Sequence, residues 1–296
     1  MRRNARRLGA TLAIALALGV AHSRDGPGLT AANFVDVGDS VTAMLDTSGL
    51  AFSTLVIGSA ATRGARLRPA LFRPPMPRAY PKTFESPCPG GGSVKAGMRD
   101  ADGSGELSTG DRFVTVFESC VIEGSLVTGR SEFVVVVAHR FEGVVEFTEL
   151  DFVFKDLGTA ELRWAGPAHV ALRTDLRRGT ERYVVTYRGL AVTHGQRSMR
   201  WNFSLDKVRP PIGNQVASVN GEMTIGDLRL HLRQDEPYAI PGDGFPRSGQ
   251  LTASDSRGAQ LQVEARRWRY AYRLFLAGNQ SEVPDSTSQS KPYGKH

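Results

Sequence analysis

The sequence predicts an all-β protein, a large antiparallel sheet arranged as an open half-barrel, a barrel or a sandwich, following a cleaved N-terminal signal helix. Three observations carry that expectation. From Phe113 onward, apolar residues alternate with polar ones or gather in short β-branched runs, as strands with one buried face require. Glycine-containing turn signals separate these runs closely enough for roughly a dozen strands, which argues against βαβ units. After the leader, only Asp39 to Leu50 (DSVTAMLDTSGL) has the texture of a short helix.

Met1 to Ala21 reads as a secretory leader. Arg2, Arg3, Arg6 and Arg7 form a basic start, an apolar run follows from Leu8 to Leu18, and Gly19-Val20-Ala21 supplies small residues for cleavage. The apolar run is shorter than the about 20 residues a membrane-spanning helix needs, so cleavage is expected rather than anchoring. No cysteine follows that would take a lipid, and Leu8-Gly9 after the paired arginines gives only a weak twin-arginine signal, so the general export route is expected. The whole chain has 37 Lys and Arg against 30 Asp and Glu, and without the leader's four arginines the excess is 33 against 30. That small surplus, with no basic cluster interleaved with aromatics, argues against nucleic acid as a partner. Two local basic groups remain: Arg173, Arg177 and Arg178, and then Arg266, Arg267 and Arg269. Each either meets anionic lipid or glycan, or is a solvated strand end.

The chain has two cysteines, Cys88 and Cys120. An even count in an exported chain predicts a disulfide, here a staple across a hairpin. A redox or metal role is unsupported, since there is no C-x-x-C and no nearby histidine.

The expected organisation is a leader over 1–21, an N-terminal arm over 22–83, a β domain over 84–278 and a disordered tail over 279–296. The arm holds the short helix and, in 66–81, five prolines that break both helix and central strand. In the β domain Phe113, Thr115 and Phe117 share a face, and Ser131 to Ala138 is a continuous apolar strand. Val145 and Phe147 alternate in one phase while Leu150, Phe152 and Phe154 alternate in the other, which predicts a bulge near Thr148-Glu149. Met199 to Leu205, Leu228 to Leu232 and Tyr270 to Leu276 alternate cleanly, with His231 on a solvent face. Turns are expected at Gly129, Gly143, Gly158, Gly166-Pro167, Gly179, Gly189, Asn220-Gly221, Gly242 to Gly244 and Gly258. The tail from Gln280 is rich in Ser, Pro and Gln, a composition too poor in apolar residues to fold.

The sharpest local signal is Asp100 to Asp111, DADGSGELSTGD. Set on a twelve-position calcium loop it offers Asp100, Asp102, Ser104 and Asp111 as oxygen ligands, with Gly105 where the chain reverses. Calcium is therefore the one cofactor the sequence motivates, and none is required. The flanks read as strand rather than helix, so the same stretch also reads as a hairpin tip held by side-chain to backbone bonds. Val35 to Thr42 (VDVGDSVT) resembles the opening block of GDS-type esterases, with Ser40 in the nucleophile's place. No histidine has the Asp three residues before it that the family needs, so the match is set aside. The scattered histidines give zinc no support, and Glu146, Glu149 and Asp151 cannot be placed in one pocket from sequence.

Two segments resemble a group of uncharacterised exported proteobacterial proteins. One runs from Cys88-Pro89-Gly90-Gly91-Gly92 through the Asp-rich loop and Cys120 to the turn ending at Gly129, and the other is Phe245 to Val263 (FPRSGQLTASDSRGAQLQV). The resemblance spans about 84–278 and implies an all-β fold and export, without an activity. The chain departs from the group at Ala277-Gly278-Asn279-Gln280, where an Asp/Gly-rich tip is usual. The expected function is that of a periplasmic or secreted envelope protein. It would be a non-enzymatic β scaffold binding an apolar or glycan ligand, a lipid or another envelope protein. The alternative is an exported hydrolase whose site is assembled from separate strands. An outer-membrane barrel is disfavoured, because the alternating segments are short, carry Arg or Lys on the polar phase and lack aromatic girdles.

Overall fold

The computed structural model describes residues 27–45, 82–88, 90–104, 107–122, 125–241, 246–266, 269–278 and 290–292. The expected leader, the proline-rich segment, Gly105, Gly242 to Gly244 and Arg267 lie outside these residues. Among the described residues, fifteen strands form one antiparallel sheet. They are β1 (Lys82–Pro87), β2 (Ser93–Arg99), β3 (Arg112–Ile122), β4 (Ser125–Glu142), β5 (Val145–Gly158), β6 (Leu162–Asp175), β7 (Thr180–Tyr187) and β8 (Leu190–His194). There follow β9 (Arg197–Arg209), β10 (Gln215–Ile225), β11 (Leu228–Ile240), β12 (Ser248–Asp255), β13 (Gln260–Arg266), β14 (Arg269–Phe275) and β15 (Ser290–Pro292). Each strand pairs with its sequence neighbours, except that β7 and β8 share one slot between β6 and β9. The all-β expectation holds. Within the tail expected to lack order, Ser290–Pro292 pairs with β14.

The inner face follows from register. Phe113, Phe133, Phe152, Ala168 and Tyr187 oppose one another across β3 to β7, and Val135, Leu150, Val170, Val185, Leu205 and Val219 form the next row. Ring centroids lie 4.5 Å apart for Phe113 and Phe133, 4.9 Å for Phe133 and Phe152, and 5.1 Å for Tyr187 and Phe203. Offset and edge-to-face pairs of this kind add about 1 kcal/mol each beyond area burial. Met199, Trp201, Phe203 and Leu205 are all buried, as are Leu228, Leu230 and Leu232, while His231 faces solvent.

Several expected turns are not turns. Gly129 and Gly221 sit inside β4 and β10, where a Cβ would come within 2.1 Å of the Asp156 carbonyl oxygen and 2.5 Å of the Asn202 carbonyl oxygen. The glycines there allow neighbouring backbones to approach at register shifts. Gly158 closes β5. Gly166-Pro167 and Gly189 mark one kink that crosses the sheet, where β6 changes partner from β8 to β7. The bulge expected at Thr148-Glu149 is also displaced. β5 runs unbroken against β6 from Val145 to Phe154, and the shifts lie on β4 between Val135 and Arg140, where His139 has φ 45°. Phe147 keeps the outward phase because Arg140 and Arg173 cover its ring at 5.1 and 5.5 Å, so its apolar character does not signal an inner face.

The helix, α1, occupies residues 34–45 among the described residues and so begins before the expected Asp39. Its start is fixed by one half of a capping box, in which the Thr30 N–H donates to Asn33 Oδ1 at 2.8 Å, and the Phe34 N–H makes a backbone bond to the Thr30 carbonyl at 3.1 Å. Phe34, Val37, Val41 and Met44 fall at helical spacing and join the same buried cluster as the sheet. The arm is therefore part of the core. Tyr272 of β14 donates its hydroxyl to Asp39 Oδ1 at 3.0 Å and meets Thr42 Oγ1 at 3.1 Å, and Arg197 reaches the Asp36 carboxylate at 2.6 Å. Ahead of α1, the buried Leu29 N–H donates to Asp255 Oδ2 at 2.7 Å, while Oδ1 accepts the Arg257 and Ala259 N–H groups at 2.9 Å each. This carboxylate joins the N-terminal segment to the β12–β13 turn. Asp255→Ala leaves three donors without their acceptor and is expected to cost about 2 kcal/mol, read as a shifted denaturant midpoint at unchanged slope.

Candidate functional site

Three places gather chemistry-bearing side chains. The first is the loop between β2 and β3. Asp100, Asp102 and Asp111 each bring a carboxylate oxygen within 4.8 Å of the others. Asp111 is fully buried. Its Oδ1 accepts the Ala101 N–H at 2.7 Å and the Ser108 hydroxyl at 3.1 Å, and its Oδ2 accepts the Ser108 N–H at 2.9 Å. Asp100 Oδ1 takes the Gly103 N–H at 2.6 Å, and Asp102 Oδ1 takes the Ser104 N–H at 3.0 Å. The bond from the Ser104 backbone holds the Asp102 carboxyl below the usual carboxylate range. The loop is pinned to β4 by Gly110 N–H to Val135 O at 2.8 Å and Val135 N–H to Asp111 O at 2.9 Å. The hairpin-tip bonds are thus present, and the same bonds bring together three of the four expected ligands. Ser104 contributes its backbone N–H to the arrangement.

The second place is a row on the outer face that the sequence does not disclose. Asp151, His169, Thr186 and Ser204 oppose one another in turn across β5, β6, β7 and β9. Asp151 Oδ1 meets His169 Nδ1 at 2.8 Å, and the Thr186 and Ser204 hydroxyls meet at 3.1 Å. Acid, imidazole and hydroxyl stand in the order that nucleophilic hydrolysis uses. All four lie within paired strands, however, where backbone N–H groups are spent on cross-strand ladders rather than aimed at a developing oxyanion. Only β-sheet register could have revealed this row, because its members are separated by 17 or 18 positions in the chain. A second pair, His139 Nδ1 with Glu146 Oε1 at 2.5 Å, stands at the β4 bulge.

The third place is the inner face, and it is filled. Trp164, Trp201, Tyr187, Tyr238, Tyr270 and Tyr272 are all essentially inaccessible. The Trp164 and Trp201 indole nitrogens and the Tyr187 hydroxyl are buried without a hydrogen-bond partner among the described residues. Burial pushes the Tyr187 pKa upward.

Ser40 stands inside α1, fully buried, and its hydroxyl donates to the Asp36 carbonyl at 2.9 Å. A nucleophile must be reachable, so the setting agrees with leaving the esterase block aside. Cys88 and Cys120 form a disulfide with a Cα–Cα distance of 5.4 Å. Arg266 and Arg273 both reach Glu264, at 2.9 and 3.2 Å. No helix among the described residues is long and apolar enough to cross a membrane. No family model, curated protein or solved structure matches the chain.

Proposed function

We propose that this chain is an exported protein of the cell envelope that works without catalysis, as a stiff β scaffold whose outer surface binds another envelope component. The observation that carries the reading is the filled inner face. Aromatic side chains and α1 occupy the space an apolar ligand would need, so recognition falls to the outer polar face and the hairpin tips. The Cys88–Cys120 disulfide supports an oxidising compartment. The test is to express the full chain in a bacterial host, fractionate the cells, measure intact mass and identify envelope components captured by cross-linking. The reading expects a periplasmic product lacking the leader and carrying an oxidised cysteine pair. A full-length, reduced product in the cytosol would overturn it.

One observation favours the other reading, an exported hydrolase: the row from Asp151 to Ser204. His169→Ala separates the two. Hydrolysis of ester or peptide substrates that disappears in this variant, with thermal stability unchanged, would replace the scaffold reading.

Outside the cytoplasm calcium is available, and Asp100, Asp102 and Asp111 would hold it with hard oxygen ligands. At the dissociation constants usual for extracellular sites, about 5 mM calcium should stabilise chelator-stripped protein by about 1 to 2 kcal/mol, raising the melting temperature by roughly 3 to 6 °C. Asp102→Asn should abolish that rise. An unchanged melting temperature in the wild-type protein would remove the site.

A further inference from the structure

The hairpins β4–β5, β6–β7 and β9–β10 turn at the same end of the sheet, and their tips are in contact. The Leu176 N–H donates to the Val144 carbonyl at 3.0 Å, and a Cβ on Gly179 would lie 3.5 Å from Pro211. Turn tips ordinarily carry Gly, Asn, Asp or Ser. These carry large apolar side chains: Phe141 is 59 % exposed, Leu176 56 % and Ile212 90 %. Ile212 follows Pro210-Pro211, whose fixed φ angles stiffen the tip.

Cations flank the apolar residues. Arg140 precedes Phe141, Arg177 and Arg178 follow Leu176, and Arg209 precedes the proline pair. The neighbouring acids are already engaged. Asp175 Oδ1 accepts the backbone N–H groups of Arg177 and Arg178 at 3.0 Å each, and its Oδ2 lies 3.9 Å from Arg178 Nε. Glu142 meets Arg140 at 3.3 Å, and Glu181 accepts the Tyr183 hydroxyl at 2.5 Å and lies 3.9 Å from Arg209 Nη1. Arg177 has no acidic partner among the described residues. The turn that Asp175 organises therefore presents Leu176 beside the exposed side chains of Arg177 and Arg178.

We propose that this end of the sheet docks onto an anionic lipid bilayer. Phe141, Leu176 and Ile212 enter the boundary between headgroups and acyl chains, and Arg177 and Arg178 lie against lipid phosphates. A bilayer fits these features better than a protein partner does. A deformable surface accepts three exposed apolar tips without a shape-matched partner and rewards the arginines beside them. The proposal rests on the envelope reading only for bringing a membrane within reach, and vesicle binding is measured independently of export.

The experiment uses the leader-free chain, residues 22–296, with its disulfide intact and vesicles of phosphatidylglycerol with phosphatidylethanolamine, compared with phosphatidylcholine alone, in flotation assays across a lipid titration. Partitioning should be tighter on the anionic vesicles and weaken in 0.5 M salt. It should drop roughly fivefold for Arg177→Gln and again for Arg178→Gln. Leu176→Ser and Ile212→Ser should weaken binding to both vesicle types at unchanged melting temperature, since both side chains already face water. Absence of binding at millimolar anionic lipid would overturn the proposal, as would equal binding by the four-fold variant. Sedimentation velocity supplies the competing outcome: a dimer that Ile212→Ser dissociates would assign the tips to a second copy of the chain. An exported protein that ignores vesicles would sink the docking and leave the envelope reading standing.

Discussion

Gly38→Val is expected to destabilise the protein by about 3 kcal/mol, lowering its melting temperature by roughly 6 to 12 °C. A Cβ at this position would lie 2.8 Å from Cδ2 and Cε2 of Tyr272 and 3.0 Å from Cγ. The ring cannot swing aside. It is buried in β14, and its hydroxyl is held by Asp39 and Thr42 of the same helix. Helix propensity alone predicts the opposite sign for Gly38→Ala, a gain of about 1 kcal/mol over glycine. The two effects are thus opposed at one residue, and the direction of the Gly38→Ala shift shows whether α1 is seated against β14. A double-mutant cycle with Tyr272→Ala isolates the contact: Gly38→Val should cost much less once the ring is gone. A Gly38→Val protein as stable as the parent would mean that the helix does not pack as described.

The seating of α1 also shows where a sequence stops being legible. Alternation exposed the inner face of β9 and β11, where exposure follows the two-residue pleat, and of β14 at Tyr270, Tyr272 and Leu274. Leu276 falls beyond that strand and is exposed, and Ala271 is buried on the opposite phase. The helix boundary was misplaced by several residues. Gly38 and the β-branched Val35 and Val37 weaken the local helical signal, and the cap that starts α1 is the modest Thr30-Ala31-Ala32-Asn33. Its packing against β14 joins residues more than two hundred positions apart, which no local pattern encodes. Glycines misled for a related reason. Gly129 and Gly221 look like turn residues, but their permissiveness is used to let one strand press on another. Three of the four calcium-loop ligands came together because all lie within one hairpin. The Asp151 to Ser204 row and the three apolar tips needed the register of strands distant in sequence. Phe141, Leu176 and Ile212 are each unremarkable singly, and they gain meaning only when the sheet places them side by side.

Removing the disulfide through Cys88→Ala with Cys120→Ala is expected to cost about 3.5 kcal/mol, and most of that effect belongs to the unfolded chain. The cross-link spans a sequence separation of 32, for which loss of loop entropy in the unfolded state predicts this magnitude. The native geometry around it has independent support. The Cys88 N–H donates to the Gly92 carbonyl at 3.1 Å, the Gly90 N–H to the Val121 carbonyl at 3.1 Å and the Val121 N–H to the Gly91 carbonyl at 2.9 Å. Those bonds survive the substitution, and alanine adds no polar group where Cys120 is buried. The fold should therefore persist with a melting temperature roughly 7 to 14 °C lower. Hydrogen exchange resolves where the loss falls. Among the described residues β1 pairs only with β2, so it is the strand most dependent on the staple. If the entropic account holds, amides throughout β4 to β6 lose protection by the same free energy as global unfolding. If only Lys82 to Pro87 and its partners exchange faster while the melting temperature stays put, the bond serves to hold down an edge strand and the entropic account fails.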